Sequence, residues 1–182
     1  MRLVEVLARA KNALLVKNAS ELKALSDVIV SSACNYQDSA SITLSVTLYA
    51  LNKIIERGDY GKIPRWDFFV KKFNASLNLA SRALQEENQF AYEKYIEQAR
   101  RVLTSQSVSI KPYIQDVLKK ASINKGFRLH EHGISLEQTA KLLGVSRWDL
   151  AEYVGEKSFS EAGHGETINI KKRAKMALEF FG

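Results

Sequence analysis

Apolar residues recur three and four positions apart along most of this chain, which is the period of an amphipathic helix. The first such segment covers residues 3–16, and the second begins at Ser20, a suitable helix cap, and runs to about Asn35 with Val28 on its apolar side. Residues 66–85 and 88–103 carry two further apolar stripes, the second of which starts at Phe90. We expect these last two helices to pair as an antiparallel hairpin.

The stretch SITLSVTLY, residues 41–49, is ambiguous because its apolar and polar residues alternate as they do in a strand. Its β-branched residues also favour a strand. However, neither Gly nor Pro interrupts residues 38–57, and a strand of that length would lie far outside the usual range. Asp38 is a suitable cap and Gly58 a suitable stop, so we expect a buried helix between them.

A polar run, TSQSVS at residues 104–109, has the composition of a linker. Pro112 suits the first turn of a sixth helix that reaches about Ile123, and Asn124 and Gly126 are predicted to kink or end it. We therefore divide the chain into a helical bundle, residues 1–105, and a second module, residues 106–182. Two prolines and nine glycines in 182 residues also favour helices, so the predicted class is all-α.

The net charge of +7 attracts polyanions, nucleic acid first and anionic membranes second, although neither half of the chain carries the excess alone. Cys34 is the only cysteine, which excludes an internal disulfide and fits a reducing cytoplasm. No uninterrupted apolar stretch is long enough to span a membrane, and the N-terminal residues do not resemble a signal peptide. We therefore expect a cytoplasmic protein.

The segment HGISLEQTAKLLGVSRWDLAEYVGE, residues 132–156, has the spacing of a helix-turn-helix. Ser135 is placed to cap its first helix, and Ala140 is the small residue where the two helices cross. Gly144 supplies the turn, and Val145 is expected to pack below it. Ser146 caps the second helix, and Leu150 lies four residues further on. These parts predict two short helices that pack across each other.

Residues 129–156 also resemble the motif of small prokaryotic antitoxins that pair with PIN-domain ribonucleases. The matching stretches are GISL at residues 133–136 and AKLLGVSRW at residues 140–148. The resemblance implies a DNA-binding transcriptional regulator with a ribonuclease toxin as its protein partner.

The second helix of the pair would expose Arg147 and Trp148 if Leu150 is buried. Arg147 and the Ser146 hydroxyl are suited to contact phosphates or base edges, with Lys141 on the first helix beside them. Three acids, Asp149, Glu152 and Glu156, oppose this interpretation because phosphates repel carboxylates. Trp148 has two alternatives, an exposed ring that contacts a protein or a ring folded onto the preceding helix.

Residues 170–181 predict a terminal amphipathic helix with Lys171, Lys172, Arg173 and Lys175 on its polar side. This helix either packs against its own module or binds a partner while its basic side contacts phosphates.

No catalytic or cofactor motif is found in the sequence. His130 and His132 flank Glu131, but in a helix or loop their imidazoles diverge, and His164 stands apart, so no metal site is predicted. A Gly-rich phosphate loop and an HExxH motif are both absent. We therefore expect no enzyme and no cofactor. The expected function is that of a nucleic-acid-binding regulator, with DNA favoured over RNA as the target. Residues 1–105 would serve as a dimerisation or sensor bundle. The alternative is an adaptor that binds a protein, RNA or the ribosome.

Overall fold

The computed structural model of the protein describes residues 2–36, 38–106 and 108–162, and every regular element in these residues is helical. The all-α prediction is therefore confirmed. A short 3-10 turn, Asp59–Lys62, connects the third and fourth helices. The α-helices in chain order are α1 (Leu3–Leu15), α2 (Ala19–Tyr36), α3 (Ser39–Glu56), α4 (Trp66–Gln85), α5 (Gln89–Thr104), α6 (Lys111–Glu131), α7 (Leu136–Leu143) and α8 (Arg147–Ala162).

Helix α3 forms from the ambiguous stretch and lies at the centre of the protein, in contact with α2, α5 and α6. The Asp38 carboxylate caps it by accepting a hydrogen bond of 3.0 Å from the backbone N–H of Ala40. Gly58 follows its end with a φ of 71°, a left-handed conformation that favours glycine. Most of its side chains are buried around its whole circumference, so the polar residues between the apolar ones, such as Ser45, lie in the interior too. The prediction of a buried helix is confirmed.

Helix α2 is capped by Asn18 and not by Ser20, so that part of the prediction is wrong. The Asn18 side-chain oxygen accepts a hydrogen bond of 3.0 Å from the backbone N–H of Glu21 and one of 2.8 Å from the Ser20 hydroxyl. The helix consequently starts at Ala19, and Ser20 lies in its first turn. Val28, expected on the apolar side, is partly exposed.

Helices α4 and α5 pack against each other and form the expected antiparallel hairpin, since Phe69 near the start of α4 and Val102 near the end of α5 line the same hollow. Phe90 does not belong to the apolar stripe of α5, since 80% of its surface is exposed. The buried line of this helix begins at Tyr92 and continues through Ile96. Phe90 precedes Tyr92 by two residues, which turns it about 200° around the helix, away from the core.

Helix α6 continues through Asn124 and Gly126 to Glu131, so the predicted end near Ile123 is wrong. Gly126 lies at a close approach, since a Cβ atom at this position would lie 2.8 Å from Leu150 Cδ1 and 2.9 Å from Leu143 Cδ1 and would force these side chains to shift. These leucines belong to α8 and α7, which therefore approach α6 at its glycine. The missing side chain lets three helices meet, at a small cost in helix propensity.

One large cluster of buried side chains extends across residue 105. It contains apolar residues of α1–α5 together with Ile114, Val117 and Ala121 of α6. A smaller cluster joins Val30 and Ile42 of the bundle to Leu129 and Ile134. The division into residues 1–105 and 106–182 stays a prediction about independent folding.

No helix in the described part of the chain combines the length and the apolar character needed to cross a membrane.

Candidate nucleic-acid interface

Residues 135–148, which cover α7 and the start of α8, have the caps and the turn that the sequence predicts. The Ser135 hydroxyl caps α7 by accepting from the backbone N–H of Gln138 at 3.2 Å. Gly144 ends that helix with a φ of 63°, and the N–H of the half-buried Val145 returns to the Ala140 carbonyl at 3.1 Å. The Ser146 hydroxyl then accepts from the N–H of Trp148 at 3.1 Å, in the first turn of α8. This turn is short and hydrogen-bonded at both ends.

Helix α6 holds α7 and α8 in place from behind. Leu150 of α8 is completely buried and Ala140 of α7 nearly so, and both helices contact α6. Tyr153 of α8 receives a hydrogen bond of 3.1 Å from the Asn124 amide, and its ring meets Phe127 edge-on with centroids 5.9 Å apart. The position of the first turn of α8 is therefore set by packing on one side and leaves its other side open.

The structure brings four of the predicted site residues together around the α7–α8 turn. Lys141 is exposed in the last turn of α7, and Ser146 and Arg147 are exposed at the start of α8. Trp148 has 85% of its surface exposed, so the alternative in which its ring folds onto the preceding helix is wrong. The remaining predicted residues, Lys171, Lys172, Arg173 and Lys175, lie outside the described residues, as does the predicted terminal helix.

Of the three acids that the sequence sets against nucleic-acid binding, Asp149 differs from Glu152 and Glu156. Its carboxylate lies 2.9 Å from the ammonium group of Lys119 on α6, and only a third of its side chain is exposed. Glu152 and Glu156 are exposed to solvent. One of the three charges that oppose nucleic-acid binding is thus compensated by Lys119, which the sequence analysis did not identify. No local signal relates two residues so far apart in the chain.

An ion pair between a buried lysine and a partly exposed aspartate joins α6 to the bundle, and the sequence analysis did not identify it. Lys125 of α6 is fully buried, and its ammonium group donates to the Asp27 carboxylate of α2 at 2.7 Å. The same ammonium lies 4.3 Å from the centroid of the Tyr49 ring on α3. Burial lowers the pKa of Lys125, although its hydrogen bond to Asp27 opposes that shift. These contacts connect the bundle to the helix that carries α7 and α8.

His130 and His132 lie at the C-terminal end of α6. His130 lies in the last turn of α6, where its Nδ1 is 2.9 Å from the carbonyl oxygen of Ile134, and His132 ends the helix. Among the described residues, no group of three or more His, Cys, Asp or Glu side chains could hold a metal ion. His164 lies outside them.

The open side of the α8 first turn therefore presents a hydroxyl, a guanidinium and an indole ring. The hydroxyl and guanidinium are donors suited to phosphate oxygens and to the acceptor edge of guanine. The indole is suited to stacking or to an apolar contact. No protein-family model, curated protein or solved structure matches this chain.

Proposed function

We propose that this protein is a nucleic-acid-binding regulator that places the first turn of α8 in the major groove of DNA. The observation that carries the proposal is the exposure of Ser146 and Arg147 at the start of a helix whose opposite side is anchored by the buried Leu150. The major groove admits an α-helix, and helix-turn-helix proteins contact bases with the N-terminal residues of their second helix. Anchoring matters because base contacts require a rigid helix.

The charges of α8 limit how it is presented to DNA. Pairing with Lys119 reduces the repulsion expected from Asp149, the acid nearest the start of the helix. Glu152 and Glu156 lie further along and would meet phosphates if the helix lay at full length in the groove. We therefore infer that α8 enters the groove with its first turn. The net charge of +7 supplies the general attraction.

An antitoxin-like role follows from the resemblance of residues 129–156 to antitoxins that pair with PIN-domain ribonucleases. In this role the protein represses transcription as a DNA-bound homodimer and binds a ribonuclease toxin. Residues 1–105 provide the dimerisation or sensor part. Lys171, Lys172, Arg173 and Lys175 add contacts to phosphates that do not depend on sequence.

The experiment is a gel-shift titration of the wild type against genomic fragments that include the promoter of its own gene, with random duplex as competitor. Arg147→Ala is expected to weaken binding to the selected fragment by about 1–3 kcal/mol and to blur the preference for it. Arg82→Ala provides the matched control, since Arg82 is an exposed arginine in the last turn of α4. It should leave the preference unchanged.

Two results would contradict the proposal. Wild-type protein that selects no fragment over random duplex is not a sequence-specific DNA regulator. Equal effects of Arg147→Ala and Arg82→Ala would show that α8 does not read bases.

The second candidate function is an adaptor that binds a protein or structured RNA, and the exposure of Trp148 favours it. Tryptophan is enriched among residues that dominate the energy of protein interfaces, and its ring also stacks on unpaired bases. For an adaptor, Trp148→Ala should abolish capture of the partner whereas Arg147→Ala should not. For the DNA regulator, the effect of Arg147→Ala on duplex binding should be the larger of the two.

A further inference from the structure

A groove lies beside the α7–α8 turn, between that turn and the helical bundle. It consists of two adjoining hollows of about 450 Å³ and 320 Å³, which share Arg100, Leu118, Ser122, Leu143 and Gly144. Helices α3, α5, α6 and α7 all contribute to its walls. We call it the turn groove. Its lining thus joins the predicted bundle to the predicted DNA-binding module.

The turn groove is lined by four cationic side chains from three helices. Arg100 belongs to α5, Lys111 and Lys119 to α6, and Lys141 to α7, and all four are exposed. No Asp or Glu is found among the described residues that line the two hollows. Hydroxyl groups of Ser122 and Ser146 add uncharged donors. Cations and hydroxyls without carboxylates are the side chains that bind phosphate oxygens.

Two of the four cations are paired, and neither carboxylate partner lines the groove. Arg100 is 3.3 Å from Glu97, and Lys119 is 2.9 Å from Asp149. The partly exposed pair of Arg100 with Glu97 contributes about 0–1 kcal/mol, so Arg100 can exchange this carboxylate for a phosphate at little cost, whereas Lys119 stays with Asp149. Within the described residues, Lys111 and Lys141 form no ion pair, and their charges are available to an anion.

The groove is also well placed relative to the base-reading turn. Ser146, which caps α8, belongs to the groove lining, and the exposed Arg147 follows it directly. A nucleic-acid strand that runs past the first turn of α8 would continue over the cations of the groove. Two adjoining hollows provide room for consecutive groups of a polymer and not only for a single ion.

We propose that the turn groove binds the phosphodiester backbone that flanks the bases contacted by α8, so that Arg100 of the bundle belongs to the nucleic-acid interface. The inference rests on the proposed function and adds a contact site outside the helix pair. It implies that the bundle contributes directly to affinity. It also implies that this contribution is independent of base sequence, because phosphates are the same at every position.

The test uses the full chain with Arg100→Gln and Lys111→Gln combined, and Lys94→Gln combined with Arg82→Gln as the charge-matched control. Lys94 is an exposed residue of α5, as Arg100 is, but does not line the groove. Binding to a random duplex and to an RNA hairpin of equal length is titrated over a series of salt concentrations. The groove variant should bind all duplexes more weakly than the control, and the slope of log affinity against log salt should fall by about 0.9 for each phosphate that the variant no longer neutralises.

The outcomes separate this inference from the proposed function. Sequence-selective binding with equal salt slopes for the groove and control variants overturns the groove and leaves the regulator standing. A groove variant that loses affinity for random duplex, in a protein that selects no fragment, supports the groove and overturns the regulator. Loss confined to the RNA hairpin assigns the groove to RNA and overturns its placement on duplex DNA. Unchanged thermal melting of both variants, measured beforehand, ensures that the losses reflect binding.

Discussion

The ammonium group of Lys125 is fully buried and donates a hydrogen bond of 2.7 Å to the carboxylate of Asp27, whose own side chain is 44% exposed. The pair is therefore asymmetric, because removal of the lysine leaves a carboxylate that water can reach. Removal of the aspartate leaves a buried ammonium group without its charged partner.

We expect Asp27→Ala to lower the free energy of unfolding by about 3 kcal/mol near neutral pH, since it leaves a buried charge without its partner. Lys125→Met should cost about 1 kcal/mol or less, because an apolar side chain of similar length fills the site. Equilibrium unfolding in urea measures both. The difference should shrink in alkaline solution, where the lowered pKa of Lys125 lets the unpaired ammonium lose its proton. A larger loss for Lys125→Met would contradict this account.

The close approach at Gly126 predicts that a side chain there separates three helices. Gly126→Val should lower stability by about 1–3 kcal/mol, because its Cβ would lie within 3 Å of Leu150 and Leu143. Gly155→Val is the matched control: Gly155 is also helical, and a Cβ there has no neighbour within 4 Å. Thermal melting compares them. Similar midpoints for the two variants would show that the leucines move aside at little cost.

The turn between α7 and α8 depends on Gly144 and Ala140. Gly144→Val places a β-branched residue at a φ of 63°, and Ala140→Glu buries a charge. Each should cost more than about 2 kcal/mol. Gly61→Val serves as a control, since Gly61 has neither a positive φ nor close neighbours. If Gly144→Val and Ala140→Glu both melt at the same temperature as the wild type, the two helices are not packed as described.

The hydrogen bond of Tyr113 predicts an effect in alkaline solution. Its hydroxyl donates to Asp59 at 2.6 Å, and burial together with this bond raises the pKa of Tyr113 to about 12. A tyrosine whose pKa is raised by folding contributes stability that is present below its unfolded pKa and lost as pH rises toward the folded value. Tyr113→Phe should therefore lose less stability than the wild type between about pH 10 and pH 12. Urea unfolding across this pH range measures the stability of both proteins. Equal losses in the wild type and in Tyr113→Phe would show that Tyr113 makes no such contribution.

The division at residue 105 predicts that the fragment 1–105 melts cooperatively by itself, because α1–α5 contain most of the large buried cluster. It should melt at a lower temperature than the fragment 1–131, since Ile114, Val117 and Ala121 are removed from that cluster. Circular dichroism measures both transitions. A fragment 1–105 without a cooperative transition would show that α6 is required for the bundle and that the division is wrong.

The sequence by itself was sufficient for the helical class and for most helix ends. The structure has the predicted helix caps at Asp38 and Ser135 and the predicted turn at Gly144. These features could be predicted because caps and turns depend on hydrogen bonds and dihedral angles within a few residues. Helix α4 also begins and ends where its apolar pattern predicts. Errors arose where two local signals competed, as at Asn18 and Ser20, both of which are good caps.

The tertiary structure decided which local features serve the candidate site. In the sequence, Gly126 indicates the end of a helix. In the structure it lies inside α6 and permits the close approach of Leu150 from α8. Lys119 compensates Asp149, and Lys125 meets Asp27, across intervals that no periodicity encodes. Helical periodicity shows which side of a helix is apolar, but not which helix covers it. Partners and exposure, including that of Trp148, are determined only when the helices pack, because burial depends on residues distant in the chain.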